Sequence, residues 1–403
     1  MSDNSIRFEV VKKIAETRFK FKDLSNITNI SSSSPPSIFI GSKLKYPVVN
    51  VGILSPVQRD EDAWIYDDYK YWAKENFSIH EVVRLRDNLL NSRFRSKVEE
   101  ARLNNKFLEI AKEIAMACKP VDLEIELKRQ FSLGRKKDRV VTDMGMKAPL
   151  KVARITDNVK IDRKIDKVVN DEIKSTKGLE FLYKNKFSEY TLSKILSVGV
   201  LGLKKDKKLV PTRWSITATD DTIGKFLLTK IRGYKWIENY ELHFGSFMGN
   251  HYLIMLFPNV FSYELFEIYF PGSSWNQSKV VKASTDYENF GGRKNYASNT
   301  AGGYYAARLP ILEYLDKIKR QASVLAIRLE TPSYWAALGV WVVRESVRKA
   351  IGKRVLEFDE LDEIIDSSRK IGMIKFGFDS KKILDKSKLL ESIRIQENLR
   401  KWF

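Results

Sequence analysis

The sequence predicts a mixed α and β fold: a larger amino-terminal sheet-and-helix domain with a smaller carboxyl-terminal α/β domain packed on it. Three observations carry that expectation. Tyr234 to Leu242 and His251 to Phe270 are rich in aromatic and β-branched residues, turn at Pro258-Asn259, and read as strands of a central sheet. Ser78-Ile-His-Glu81 is an S-x-x-E capping box that opens a helix. Pro271-Gly-Ser-Ser-Trp-Asn-Gln-Ser278 is the strongest interior break in a chain of 403 residues, which is long for one core. The expected divisions are an arm at 1–35, domains at 36–275 and 276–390, and a tail at 391–403.

Taken in order, residues 1–30 read as an accessory arm, and Ser31-Ser-Ser-Ser-Pro-Pro36 as a linker by composition. Ile38 to Val51 reads as extended and buried, with Pro47 near a strand edge. The helix opened by Ser78 is expected to run to about Ala117. Gly134-Arg-Lys-Lys-Asp-Arg139 is a basic turn, Ile161 to Leu182 a charged helical stretch, and Tyr190 to Val198 a helix ending near Gly199. Lys204 to Lys208 forms a basic, hairpin-like loop. Past the break, Gly302-Gly-Tyr-Tyr305 leads into a helix through Arg320, Val324 to Glu330 is a strand, and Val340 to Ile351 a helix.

The composition narrows the partners. Hydrophobic residues at 43% and aromatics at 12% suffice for a packed interior and exclude a disordered chain. Lys and Arg number 71 against 51 acids, a formal charge of +20, and such self-repulsion is commonly offset by a polyanion. One cysteine, Cys118, and three histidines leave no intrachain disulfide and no zinc finger. No metal and no cofactor is expected. The first ten residues hold no apolar signal core and no stretch approaches a membrane span, so a cytoplasmic, nucleoid-associated protein is expected, with no membrane partner.

The final octet, Gln396-Glu-Asn-Leu-Arg-Lys-Trp-Phe403, ends on two adjacent aromatics. Wound into one short turn, Leu399, Trp402 and Phe403 share a side and Gln396 stands one turn back. The pattern Q-x-x-aliphatic-x-x-aromatic-aromatic resembles the PIP box, by which repair and replication proteins dock onto the sliding clamp PCNA. The competing reading is one amphipathic helix from Ile383 through Leu399 folded back on its own domain. A self-docking helix has no need of an amide at position 396, which favours the clamp, while Leu384 to Ile393 can still pack on the body.

Three further stretches resemble the archaeal Nre family. They are Asn50-Val-Gly52 with Ser55-Pro56, the block Val210-Pro-Thr-Arg-Trp-Ser-Ile-Thr-Ala-Thr-Asp-Asp221, and Gly302-Gly-Tyr-Tyr-Ala-Ala-Arg-Leu309 with Leu338-Gly-Val-Trp341 and Arg344-Glu345. The resemblance covers nearly the whole chain from Pro36. It implies two family domains, a role in DNA damage repair and binding to the sliding clamp. Some members look to carry a cysteine cluster near the amino terminus; residues 1–35 here hold no Cys or His, so no metal role carries over.

Other residues are candidates for phosphate or nucleic-acid binding. On an extended segment Arg213, Ser215, Thr217 and Thr219 would line one face, a guanidinium beside three hydroxyls. Asp220 and Asp221 could hold magnesium, but the simpler role is to cap a helix beginning at Thr222. Arg293 lies with Asp286 and Glu288 in a polar loop able to line a cleft. Gly302-Gly303 would let a helix terminus approach an anion or pack tightly, and Tyr304 and Tyr305 offer stacking faces or half-buried packing. Arg308, Arg344, Glu345 and Arg348 read first as an ion-pair network, with a phosphate pocket as the other possibility. Three function classes follow: a repair factor recruited by PCNA, a DNA- or nucleotide-processing enzyme with an inter-domain cleft, and a non-catalytic basic nucleic-acid-binding protein.

Overall fold

The computed structural model describes residues 28–400 except 43, 104 and 131–143, and for 396–400 the helical backbone alone. The arm before residue 28, the basic turn at 134–139, Trp402 and Phe403, and the side chains of Gln396 and Leu399 lie outside the described residues. The fold is α+β, with two compact units that divide at Ile223/Gly224.

The first unit is built on six strands: β1 (Asn29–Ser34), β2 (Ile38–Gly41), β3 (Val48–Pro56), β4 (Leu89–Lys97), β5 (Val121–Leu127) and β6 (Met146–Ile155). They form one sheet in the order β1-β5-β6-β4-β3-β2, antiparallel except for the parallel pair β4/β6. Its helices are α1 (Tyr69–Lys74), α2 (Ile79–Asp87), α3 (Lys106–Met116), α4 (Arg163–Asn170), α5 (Ser175–Lys184), α6 (Glu189–Ser197) and the start of α7 (Thr212–Ile231).

Three expectations are corrected here. The serine run is strand β1 rather than a linker. Ser31 is exposed, and the three buried hydroxyls after it each find an acceptor: Ser32 donates to the Pro56 carbonyl at 2.5 Å, Ser33 to Asp122 at 2.7 Å and Ser34 to the Leu54 carbonyl at 2.6 Å. The capping box of Ser78 and Glu81 forms as read, yet its helix stops at Asp87. Leu90, Ser92, Phe94 and Ser96 then alternate inward as β4, a period of two that a helix cannot satisfy. The third concerns 210–221. This stretch opens α7, with Pro211 just before the first helical residue and the Thr212 hydroxyl accepting the Ile40 N–H at 2.8 Å.

The second unit carries the sheet β10-β9-β11-β8-β7-β12, with β7 (Tyr240–Phe247), β8 (Asn250–Phe257), β9 (Ser262–Tyr269), β10 (Lys282–Glu288), β11 (Ser323–Glu330) and β12 (Leu356–Phe358). The boundary expected near 276 falls between β9 and β10, which are neighbours in this sheet. Its helices are α8 (Ala301–Ile318), α9 (Trp341–Ile351), α10 (Leu361–Phe376), α11 (Lys381–Leu384) and α12 (Lys388–Arg400). Of the strands read from β-branched and aromatic runs, His251 to Phe270 supplies β8 and β9 and Val324 to Glu330 most of β11, which is buried along its whole length, while Tyr234 to Leu242 is strand only from Tyr240, where β7 begins. Among the described residues no helix is long and apolar enough to cross a membrane.

Candidate functional site

Side chains alternate along a strand, so the second sheet has two chemically different faces. On one face Leu253 and Met255 of β8, Phe266 and Ile268 of β9, and Leu325 and Ile327 of β11 form an apolar core. Leu361, Ile364 and Ile365 of α10 cover part of it, and Leu389, Leu390 and Ile393 of α12 another. The carboxyl-terminal helix is therefore seated on the body through Ile393. Arg394 and Ile395 that follow are exposed, Ile395 at 55%.

A single carboxylate fixes where α12 begins. Glu264 of β9 is fully buried on the apolar face and accepts the Ser387 hydroxyl at 2.6 Å and the Leu389 and Lys388 N–H groups at 3.0 and 3.3 Å. Ser387 in turn accepts the Leu390 N–H at 3.1 Å. The helix start thus finds acceptors for its unpaired amides and a negative group at the positive end of its dipole. Burial raises the Glu264 carboxyl above its ordinary range, and the bonds from Ser387, Leu389 and Lys388 pull the other way.

The opposite face is buried and ionic. Arg328 of β11 pairs in register with Tyr252 of β8 and Glu267 of β9. Its guanidinium donates to Glu267 at 2.6 Å, to Glu330 at 2.7 Å and to the Asn250 carboxamide oxygen at 2.6 and 2.8 Å, and it is only 5% exposed. Burial works against this charge, but Glu267 and Glu330 reverse the effect and hold the guanidinium well above its ordinary range. Glu267 also accepts the Tyr269 hydroxyl at 2.6 Å, and Glu330 the Ser274 hydroxyl at 3.1 Å and the Trp275 N–H at 3.2 Å. Each carboxylate is thereby bonded more than once, as a buried charge requires.

Helix α8 extends this layer. Arg308 meets Glu288 of β10 through two bonds, with both side chains buried. Arg293 pairs with Asp286 at 3.1 Å, donates to the carbonyls of Tyr287, Asn295 and Tyr296, and lies 5.3 Å from the Tyr304 ring centre. The other Asp286 oxygen accepts the N–H groups of Asn299 and Thr300 and the Thr300 hydroxyl, capping α8 from a neighbouring strand. A Cβ on Gly303 would collide with Glu267, so the glycine does let the helix approach an anion, and the anion is the protein's own. Tyr304 is fully buried and Tyr305 nearly so, its hydroxyl accepting the Ala297 N–H at 3.0 Å, which leaves neither ring open to an outside base. The hydroxyls of Tyr252, Tyr263 and Tyr304 are buried without a hydrogen-bond partner among the described residues, and burial holds all three phenols above their ordinary range. On α9, Arg348 reaches Glu345 at 2.7 Å and Glu313 at 3.0 Å.

The structure therefore gathers Arg293, Tyr304, Tyr305 and Arg308 into one ionic interlayer. Arg213, Ser215, Thr217 and Thr219 belong to the other compact unit. On α7 positions two apart lie about 200° apart. Ser215 and Thr219 are buried, Arg213 is exposed and Thr217 half-buried, so the single polar face expected of a strand does not exist. The hydroxyls of Ser215 and Thr217 donate to their own helix, to Thr212 and Arg213 carbonyls, which is how such a polar run stays helical. Asp220 and Asp221 sit inside α7 and cap nothing at Thr222. Among the described residues no group of three or more His, Cys, Asp or Glu side chains is placed to hold a metal ion. Arg328, Glu267, Glu330 and Asn250 escaped the sequence reading. Their signal was an Arg and Glu residues inside strands otherwise as apolar as Ser-Val-Leu-Ala-Ile-Arg-Leu-Glu330.

Comparison with known proteins divides the chain between 276 and 288, inside the second unit, rather than at Ile223/Gly224. The model of the family described as archaeal Nre, N-terminal, matches residues 5–276, and that described as archaeal Nre, C-terminal, matches 288–402. The chain is 40% identical over 354 residues to a protein of Archaeoglobus fulgidus named DNA repair protein NreA, covering 88% of each chain. It is 36% identical over 337 residues to a Haloferax volcanii protein of the same name, covering 82% of this chain and 80% of the relative. A second A. fulgidus protein, DNA repair protein NreB, is 33% identical over 338 residues, covering 84% of each. No solved structure matches the chain. Matched along nearly its whole length by both family models and by relatives of similar size, this chain belongs to the archaeal Nre family.

Proposed function

We propose that this protein acts in DNA damage repair and is brought to DNA, and so to the nucleoid, by the sliding clamp PCNA, which its carboxyl-terminal peptide engages. The repair role is supported by the names of its relatives, DNA repair proteins NreA and NreB. The clamp role rests on the octet Gln396 to Phe403, with Gln396 as polar hook and Leu399, Trp402 and Phe403 as anchors. The observation that favours an outward-facing peptide is the division of α12. Its first turns are capped by Glu264 and packed through Ile393, while Arg394 and Ile395 are exposed immediately before the motif. A formal charge of +20 suits a protein working beside DNA phosphates.

Calorimetric titration of PCNA into the full chain tests this. Phe403→Ala should weaken the complex by roughly 1–4 kcal/mol, the range for an aromatic interface anchor, and Gln396→Ala should weaken it less. Unaltered affinity in both variants removes the reading.

A further inference from the structure

The sheet of the first unit is open along part of its middle. β4 and β6 pair from Leu90↔Met146 to Arg93↔Pro149. Past these residues β4 continues against β3 as far as Lys97↔Val48, and β6 continues against β5 as far as Ile155↔Leu123. At the parting lies a groove of about 670 Å³. Asn50, Arg93 and Arg95 line it from one half of the sheet, Lys147 of β6 with Lys128 and Arg129, just past the end of β5, from the other. Phe94 and Phe107 also line it, their ring centres 5.4 Å apart; Phe94 is nearly buried and Phe107, in the first turn of α3, is half-buried.

Its charge is not the average of the surface. With 51 carboxylates to 71 cations in the chain, a lining with five cations would carry about three or four acids by proportion. Among the described residues that line it there is none. Arg95, Lys128, Arg129 and Lys147 are exposed, and Arg93 is set by a bond from its Nε to the Asn91 carboxamide oxygen at 3.0 Å. Asn91 itself lies over Gly52, where a Cβ would collide with it, and donates to the Met144 carbonyl at 2.7 Å. The Asn50-Val-Gly52 motif thus serves the groove twice: Asn50 lines it, and Gly52 makes room for the side chain that aims Arg93.

Cations on both sides suit a phosphodiester backbone, since arginine gives paired donors and lysine a point charge. A concave site holding a partly exposed aromatic ring asks for more than phosphate. A duplex keeps its base faces stacked inward, whereas an unpaired base can lie against such a ring. We propose that this groove binds a short stretch of single-stranded DNA, its phosphates on Arg95, Arg129 and Lys147 and one base on Phe107. The inference extends the repair reading and rests on it for the choice of DNA over RNA.

Fluorescence anisotropy of the full chain with a labelled single-stranded DNA, the matching duplex and the same sequence as RNA tests it. The single strand should bind more tightly than the duplex. Arg95→Ala and Arg129→Ala, both at exposed positions that should not disturb folding, should each weaken it and lower the slope of log affinity against log salt by about 0.7. Phe107→Ala should cost single-strand affinity roughly 5- to 150-fold, with Phe107→Tyr restoring it and duplex affinity unmoved. Equal affinity for duplex and single strand, equal affinity for RNA, or no loss in the two arginine variants overturns the proposal. PCNA binding should persist in all these variants, and DNA binding should persist when Gln396 to Phe403 is removed, so the failure of one reading is distinct from the failure of the other.

Discussion

Arg328 is surrounded by two carboxylates and a carboxamide in a place where water does not reach. Such a group does not raise stability over a well-packed apolar replacement, but removing one member leaves the others uncompensated. Arg328→Met should therefore cost on the order of 3–5 kcal/mol, because Glu267 and Glu330 lose their shared cation. Denaturant unfolding measures it, and a loss near zero would mean the layer is wet. His251 makes a second case. Its ring bonds to the Ser246 hydroxyl at 2.7 Å and lies 3.2 Å from that of Thr331, and burial lowers its pKa from 6.5 to about 4. The unfolded chain takes up a proton near pH 6.5 while the native ring stays neutral, so stability present above that pH declines as pH falls toward 4. NMR titration should find the His251 ring signals unmoved between pH 7 and 5; a midpoint near 6.5 would contradict the burial argument.

At the scale of elements, the Glu264 cap is the contact with the clearest consequence. Glu264→Ala should cost about 1–3 kcal/mol, the range for stranding buried donors. It should also speed amide exchange at Leu389 and Leu390 before the rest of the sheet, and uniform exchange across β9 and α12 would refute the localised role. The capping box at Ser78, strands β8, β9 and β11, and helix α9 were all legible in the sequence, because each couples a local signal to burial on a regular period. β1 and the front of α7 were not. In both, serine and threonine hydroxyls bond to acceptors within the protein, those of Ser33 and Ser34 in β1 to Asp122 and Leu54, 20 or more residues away, so composition says linker or edge where the fold makes core. The site divides the same way. Arg293, Asp286, Glu288, Tyr304, Tyr305 and Arg308 stood out locally, but the two acids lie on strand β10 rather than in a loop, and the Arg308–Glu288 pair and the neighbouring Glu267–Arg328 group are set by strand register, which no local pattern states.

For the whole molecule, two compact units divide the labour that the sequence suggests. The unit up to Ile223 holds the basic groove, and the unit from Gly224 holds the ionic interlayer and the seat of the terminal helix. Family membership joins them in one chain with the relatives' repair names, and the clamp role requires that the last residues serve another protein rather than this one. Deleting Gln396 to Phe403 and measuring both melting temperature and PCNA affinity on the same preparation decides it. Calorimetric binding to the clamp should disappear while the melting temperature moves by less than about 2 °C, a shift of at most about 1 kcal/mol in a domain of this size. Retained binding would contradict the clamp role of the octet, and a fall of many degrees would show that it belongs to the monomer's own core.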